Sequence, residues 1–252
     1  MTFTLLEIRR MLADKTTLFF STALPVAMYL MFGALQPFAQ EELGRASVGA
    51  RVLVSMTLYG ALVGVVATVG TSVIEARQGW ARQLALTPLS PLHRTLTQLA
   101  AALVAGAFPI VATLTVGALT GVRMPGWCWF AVAGLCLIST VPWVFYGLAW
   151  ALAWPRSAAV AVASTLIVVL GFAGNMFTPL PADLLGWARW TPTWGVNVLA
   201  GYPVAQGLQP IQDPPYLVAE QWWPALLSAI MWTVMFALSC AVVAFWRREH
   251  KA

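Results

Sequence analysis

The chain has 252 residues, of which 60% are hydrophobic and only 9% are charged, and its mean hydropathy is +0.78. Because a soluble domain carries about 25% charged residues, this composition excludes an ordinary water-soluble protein. The net charge of +5 does not indicate nucleic-acid binding, since the basic residues are scattered among apolar runs and form no basic stripe.

A charged segment precedes the first apolar run and predicts an amphipathic helix over residues 1–16. Leu5, Ile8 and Leu12 share one face, and Glu7 lies on another. Such a helix lies in the plane of the membrane interface. The alternative is that it continues the first span into the cytoplasm.

Six uncharged apolar runs follow, each long enough to cross a bilayer. They cover residues 18–35, 52–74, 95–120, 127–154, 157–177 and 223–246. A charge at the centre of the bilayer costs at least about 2.5–3.5 kcal/mol, so the absence of Asp, Glu, Lys and Arg from all six runs is a strong signal. The sequence therefore predicts an all-α membrane protein with six transmembrane helices.

The basic residues predict that both termini are cytoplasmic. With the N-terminus inside, ten of the 14 lysines and arginines lie in cytoplasmic segments, and four lie on the opposite side. This asymmetry follows the positive-inside rule. The four on the opposite side are Arg45, Arg51, Arg123 and Arg189.

Two connecting segments are longer than simple turns. Residues 75–94 predict a cytoplasmic elbow that ends a helix at Pro88 and presents Trp80 and Leu84 among basic residues, as a protein docking site would. A solvated loop on the bilayer surface is the alternative. Residues 178–222, rich in Pro, Gly and Trp, predict short helices that dip into the outer leaflet.

The sequence lacks the motifs of a nucleotide-binding, hydrolytic or metal-binding site. A P-loop needs GxxxxGK[ST], and neither Lys15 nor Lys251 follows a glycine. His93 and His250 lie outside the spans without a nucleophile or second metal ligand, and the cysteines have no CxxC spacing. The sequence therefore predicts no catalytic site, no metal site and no cofactor bound by the chain. Ion-coupled transport usually places an acid or His inside the membrane, so active transport would need another energy source.

The two long segments resemble the ABC-2 family, the permease subunits of ATP-binding-cassette exporters of drugs, antibiotics and polysaccharides. The family's first cytoplasmic loop, with a Glu, a spaced Gly, leucines and Thr-Pro, is matched by Glu75, Gly79, Leu84, Leu86, Thr87, Pro88, Leu89 and Ser90. Its re-entrant outer hairpin before the last span is matched by Gly171, Gly174, Phe177, Pro179, Leu180, Pro192 and Trp194.

The resemblance implies partners and an energy source. Two permease chains, identical or related, would pair with two separate P-loop ATPase subunits that bind ATP and Mg²⁺, in a bacterial plasma membrane. The residues implied to couple this chain to the ATPase are Glu75, Gly79, Trp80, Arg82, Leu84, Leu86, Thr87 and Pro88.

The resemblance also implies a path for a hydrophobic small molecule (a drug, an antibiotic or a lipid-like compound) along the second and fifth spans. Its candidate residues are Met56, Tyr59, Phe172, Asn175 and Met176, for each of which ordinary packing is the competing role. Asn175 and Met176 depart from the small or aromatic residues of many relatives.

Three other functions compete with an exporter subunit. A scaffold or sensor would dock a soluble partner through residues 75–94. A membrane enzyme is disfavoured because the spans lack His, Asp and Glu, and a passive channel because they lack charged rings.

Overall fold

The computed structural model describes the backbone of residues 9, 14–76 and 91–249, and the side chains of these residues except 91–99 and 247–249. Most of the predicted amphipathic leader and most of the predicted coupling elbow therefore lie outside the described residues. The coupling residues concerned are Gly79, Trp80, Arg82, Leu84, Leu86, Thr87 and Pro88.

Helices make up most of the described chain. In chain order they are α1 (Lys15–Ala34), α2 (Val48–Glu75), α3 (Pro91–Leu119), α4 (Gly126–Ile138), α5 (Val141–Ala153), α6 (Ser157–Ala173), α7 (Ala182–Ala188), α8 (Pro192–Ala205) and α9 (Trp222–Glu249). Two π-helical stretches, Phe19–Ala23 and Leu30–Ala34, lie within α1.

The described chain contains five segments that are long and apolar enough to cross a membrane. They are α1, α2, the Ala100–Leu119 part of α3, the α4–α5 pair from Gly126 to Ala153, and the Trp222–Trp246 part of α9. The remaining apolar helix, α6, has 17 residues, which is the lower limit of about 17 for a span. A multi-pass helical membrane protein is confirmed, and the sixth crossing stays a prediction.

The predicted span 127–154 contains a break that the apolar pattern did not reveal. Helix α4 ends at Ile138 and α5 begins at Val141, with Ser139 and Thr140 between them. Pro142 at the second position of α5 has no N–H to continue the hydrogen-bonding of a preceding turn. The chain crosses as two short helices joined by one turn.

Helix α2 is the centre of the bundle. It packs against α1, α3, α5, α6 and α8, and almost all of it is buried. Gly60 and Gly64, which form a GxxxG pattern, lie where neighbouring backbones come closest. A Cβ at Gly60 would lie 2.5 Å from the carbonyl oxygen of Ser21, and one at Gly64 would lie 2.5 Å from that of Ala105. The small residues therefore permit α1 and α3 to approach α2 closely.

Residues 174–221, which we call the cap segment, connect α6 to α9 at the end of α2 where Val48 lies. A first short antiparallel pair, β1 (Glu42–Leu43) and β2 (Ala46–Ser47), lies between α1 and α2. The cap segment itself forms α7, α8 and a second antiparallel hairpin of β3 (Leu208–Pro210) and β4 (Leu217–Ala219). The prediction of helices separated by turns is right for α7 and α8. It missed the strands, because each has only two or three residues.

The cap segment is held to the bundle by its second helix. Helix α8 packs against α2, α4 and α9, and Trp194 in its first turn is fully buried. Just before α8, Arg189 anchors the end of the hairpin, since its Nε and Nη2 donate to Glu220 Oε1 at 3.0 and 2.8 Å. The cap segment is thus a folded unit that covers one end of the bundle.

Candidate functional site

An apolar groove of about 670 Å³ runs between α1, α2 and α6. Its volume falls within the range of about 300–1,000 Å³ that is usual for small-molecule sites. Helix α2 contributes Tyr59, Val63, Ala67, Thr71 and Glu75. These residues recur every four positions, so consecutive members are neighbours on the helix surface, and together they extend over about 24 Å.

The facing wall comes from α6, and α1 closes one side. Ser157, Ala161 and Thr165 of α6 line the groove at the same four-residue spacing, and Phe20 and Leu24 of α1 add apolar bulk. This repeat follows from the helix geometry of α6. The groove is therefore long, narrow and continuous along the bundle.

Two of the threonines that line the groove do little to make it polar. Thr71 Oγ1 donates to the carbonyl oxygen of Ala67 at 2.9 Å, and Thr165 Oγ1 donates to that of Ala161 at 3.0 Å. Each threonine thus satisfies its hydroxyl within its own helix and leaves its methyl group for contact. A surface of this kind suits an apolar ligand.

An aromatic cluster adjoins the groove at Tyr59. The ring of Phe177 stands edge-on to that of Tyr59 at 5.1 Å and to that of Phe172 at 5.1 Å. Such edge-to-face pairs add about 0.5–1.5 kcal/mol each beyond area burial. Two predicted path residues, Tyr59 and Phe172, thus both contact Phe177, which was predicted as part of the outer hairpin.

Four of the five predicted path residues, Phe172 among them, do not line this groove. Met56 is buried inside the bundle, and Asn175 and Met176 are buried at the start of the cap segment. Tyr59 is the predicted path residue that faces the groove. A path role for all five residues stays a prediction.

The remaining predicted hairpin residues hold the cap segment together. Pro192 opens α8, where its missing N–H costs nothing, and Trp194 fills the core beneath it. Leu180 forms a bridge to Ile211, and the exposed Pro179 precedes it. Whether this hairpin re-enters the membrane stays a prediction.

Glu75 is the one predicted coupling residue within the described chain. It is the last residue of α2 and lines the groove at the end where Ser157 and Thr16 also lie. The groove thus begins where the predicted coupling elbow leaves α2.

A buried arginine, which the sequence analysis placed outside the second span, lies in the first turn of α2. Arg51 is only 4% exposed. Its Nη1 donates to Ser55 Oγ at 2.7 Å and to Asn197 Oδ1 at 3.1 Å, and its Nη2 donates to Gln209 Oε1 at 3.1 Å. The guanidinium therefore joins α2 to α8 and β3.

Every one of these acceptors is neutral. Among the described residues, no carboxylate forms a salt bridge with Arg51, and its buried Nε has no hydrogen-bond partner there. A Cβ at Gly201 would lie 3.0 Å from the guanidinium carbon, so the group lies flat against the backbone of α8. A buried charge of this kind is costly compared with an apolar side chain.

The polar network continues from Arg51 to the beginning of the cap segment. Ser55 Oγ donates to Asn197 Oδ1 at 3.1 Å, and Asn197 Nδ2 donates to the carbonyl oxygen of Asn175 at 3.2 Å. Asn175 Nδ2 in turn donates to the carbonyl oxygen of Pro210, and Asn175 Oδ1 accepts from the N–H of Leu180. Asn175 thus positions backbone, which explains its burial better than contact with a substrate.

Sequence reasoning missed this network for a physical reason. Beginning the second span after the nearest charge, at Val52, excluded Arg51, whereas α2 begins four residues earlier, at Val48, with Ser47 Oγ accepting from the N–H of Ala50. The partners of Arg51 lie about 150 residues away and show no local pattern. The available signal was an arginine directly before an uncharged run, with Ser55 one turn later.

Comparison with known proteins identifies a similar transport protein. No protein-family model matches the chain. The chain is similar to "Putative transport permease YvfS" of Bacillus subtilis (strain 168), with 24% identity over 252 residues that cover 98% of this chain and 96% of that protein. Together with the apolar helices, this full-length similarity supports a transport permease embedded in a membrane.

Proposed function

We propose that this chain is the permease subunit of an ATP-binding-cassette exporter of the ABC-2 type, and that it moves a hydrophobic small molecule out of the cell. The observation that carries the proposal is the groove along α2 and α6, which is apolar, sized for a small molecule and open on one side. The similarity to a transport permease over nearly the whole chain adds to it.

The energy source follows from the composition of the chain. It has no P-loop, and its predicted spans carry no acid or histidine for ion coupling. We therefore assign ATP hydrolysis to two separate P-loop ATPase subunits, which bind ATP and Mg²⁺. ATP must favour one arrangement of the permease over another to drive transport.

The coupling site in this proposal is the elbow that begins at Glu75. Because Glu75 both ends α2 and lines the groove, a movement imposed on the elbow would act directly on one groove wall. A second permease chain, identical or related, would cover the open side of the groove in the bacterial plasma membrane. Both termini and the elbow would then face the cytoplasm.

The proposal is tested by filling the groove. Ala161 lines it, whereas the next residue, Val162, is exposed and does not. ATP-driven uptake of lipophilic dyes into inverted vesicles is measured for wild type, Ala161→Trp and Val162→Trp. We expect Ala161→Trp to lower uptake about tenfold or more, and Val162→Trp to leave it near wild type. Equal uptake by the two variants would remove the groove from the transport path.

A further inference from the structure

The groove beside α2 changes in polarity along its length. The end that Glu75 lines, which we call the polar end, is also lined by the hydroxyl-bearing residues Thr16, Thr17, Thr71 and Ser157. The other end, which we call the apolar end, is lined mainly by hydrocarbon and aromatic groups, and its residues are Phe20, Leu24, Tyr59, Val63, Val168 and Val169. The hydroxyls of Ser164 and Thr165 lie part-way along. The groove therefore offers polar contacts at one end and hydrocarbon contacts at the other.

Contacts between the helices fix where the lining residues lie along the groove. A Cβ at Gly64 would lie 3.5 Å from Ser21 Cβ of α1, and a Cβ at Gly70 would lie 2.7 Å from Val160 Cγ2 of α6. Ser21 lies in the second turn of α1, and Val160 lies in the first turn of α6. Both helices therefore begin beside the last turns of α2, at the polar end.

The polar end lies at a membrane surface. Lys15 and Arg156 are exposed, and each directly precedes a residue that lines the groove. Because charges are costly inside the hydrocarbon core, these two residues place the beginnings of α1 and α6 in the interface. Tyr59 lies about 24 Å farther along α2 than Glu75, which is within a hydrocarbon core of about 30 Å. An occupant thus reaches water at one end only.

An aromatic ring closes the apolar end. Phe177 stands edge-on to Tyr59 of α2, and a Cβ at Gly171 of α6 would clash with the same ring. Phe177 therefore bridges the two helices that form the groove walls, and Tyr59 beside it is only 3% exposed. From Thr71 to Tyr59, α2 rises about 18 Å. Since an extended chain advances about 1.2 Å per bond, this length holds about fifteen carbons.

We propose that the groove binds single-chain amphiphiles, with a zwitterionic head at the polar end and an extended chain that Phe177 limits to about fifteen carbons. The head carries both signs of charge because Glu75 lines the polar end, while Lys15 and Arg156 flank it. Such a molecule enters from the adjoining leaflet through the open side of the groove. The inference rests on the proposed function, since it names the substrate class of the same groove.

Cross-linking in lipid nanodiscs tests this arrangement without ATP or an ATPase. Two lysophosphocholines carry a diazirine at the chain end, on chains of about eight and about fourteen carbons. Peptide mass spectrometry locates the modified residues. In wild type we expect the shorter probe to label near Phe20 and Thr165, and the longer probe near Tyr59 and Val169. Val234, on the exposed face of α9, reports labelling from bulk lipid.

Saturation separates a binding site from bulk lipid. An excess of the same lipid without a diazirine is expected to suppress labelling in the groove about tenfold, which corresponds to occupancy of a site by the competitor. Labelling of Val234 is expected to stay unchanged, because bulk lipid has no site to saturate. These measurements use wild-type protein, so they do not depend on the folding of any variant.

Two pairs of variants test the length limit. Val168→Trp fills the groove near its apolar end, and we expect it to lower labelling by the longer probe about tenfold, while the shorter probe labels as in wild type. Val162→Trp is the matched control, because Val162 is exposed on α6 and does not line the groove. Phe177→Ala removes the closing ring and is expected to admit a chain of about twenty carbons, which wild type and the exposed-ring control Phe108→Ala exclude.

Three results would overturn the inference. The first is groove labelling that the competitor does not suppress, because the probe would then be in bulk lipid only. The second is labelling of the same residues by both probes, because the chain would then not extend from the polar end. The third is labelling of the groove in wild type by the longest chain.

The result also distinguishes the amphiphile from the exporter. Labelling that follows chain length, without ATP-driven dye uptake, would contradict the exporter alone. Dye uptake that depends on Ala161, without labelling that follows chain length, would contradict the amphiphile alone.

Discussion

Arg51 Nη2 and Gln209 Oε1 lie 3.1 Å apart, although 158 positions separate the two residues in the chain. This hydrogen bond ties the beginning of α2, the most buried of the candidate membrane spans, to the β-hairpin of the cap segment. The groove lies farther along α2 and extends from Tyr59 to Glu75. A single helix therefore connects the cap, the groove and the predicted coupling elbow.

Close packing at Gly64 predicts a large effect from a single methyl group. A Cβ there would lie 2.5 Å from the backbone oxygen of Ala105, which cannot move aside without shifting α3. We expect Gly64→Ala to destabilise the protein by about 1–3 kcal/mol, measured by thermal unfolding in detergent. The control is Gly134→Ala in α4, where a Cβ would meet nothing within 4 Å. Equal melting temperatures for the two variants would refute the close contact.

The backbone conformation of Asn175 predicts that a change to Gly destabilises the protein less than a change to Ala. Its φ is 56°, in the left-handed region, and its side chain bonds to Leu180 and Pro210. Asn175→Gly keeps the backbone conformation and loses two hydrogen bonds, at about 0.5–1.5 kcal/mol each. Asn175→Ala should lose about 1 kcal/mol more, because Ala avoids positive φ. Thermal unfolding of both variants checks this order, and an Ala variant at least as stable as the Gly variant would contradict it.

The bilayer-crossing helices were predictable from sequence because the cost of charge in lipid is local and large. The ends of these helices were less predictable wherever tertiary contacts satisfy a polar group within the helix. Arg51 is the clearest case: it lies within α2, and its charge is accommodated there by hydrogen bonds to Asn197 and Gln209. The strands of the cap segment escaped prediction because a three-residue ladder such as Leu208–Pro210 has no periodicity to detect.

The groove was predictable only in part. Tyr59 was identified by the resemblance, but the contribution of α1 through Phe20 and Leu24 was not. Nothing in the residues of one helix indicates which neighbour packs beside it. Asn175 was assigned to the path because the resemblance places the path along the second and fifth spans, whereas its side chain bonds to backbone.

The number of crossings has a direct topological consequence. If α6 spans the membrane, the chain crosses six times and both termini lie in the cytoplasm; five crossings would place them on opposite faces. We expect alkaline phosphatase to be inactive when fused after Ala252 and active when inserted after Asp213, in the turn of the cap hairpin. A green fluorescent protein fused to either terminus should fluoresce. Phosphatase activity at the C-terminus would contradict the sixth crossing.

The central claim is that an ATPase on a separate chain drives this permease, and co-purification tests it most directly. The tagged chain is isolated in mild detergent from its native host, beside Glu75→Ala/Leu84→Ala in the predicted coupling elbow. The matched control is Glu41→Ala/Leu35→Ala, which changes an exposed glutamate and an exposed leucine near the opposite end of α2. We expect a P-loop ATPase at about one copy per permease with wild type and with the control, and its loss with the elbow variant. Absence of any ATPase from intact wild-type protein would contradict the claim.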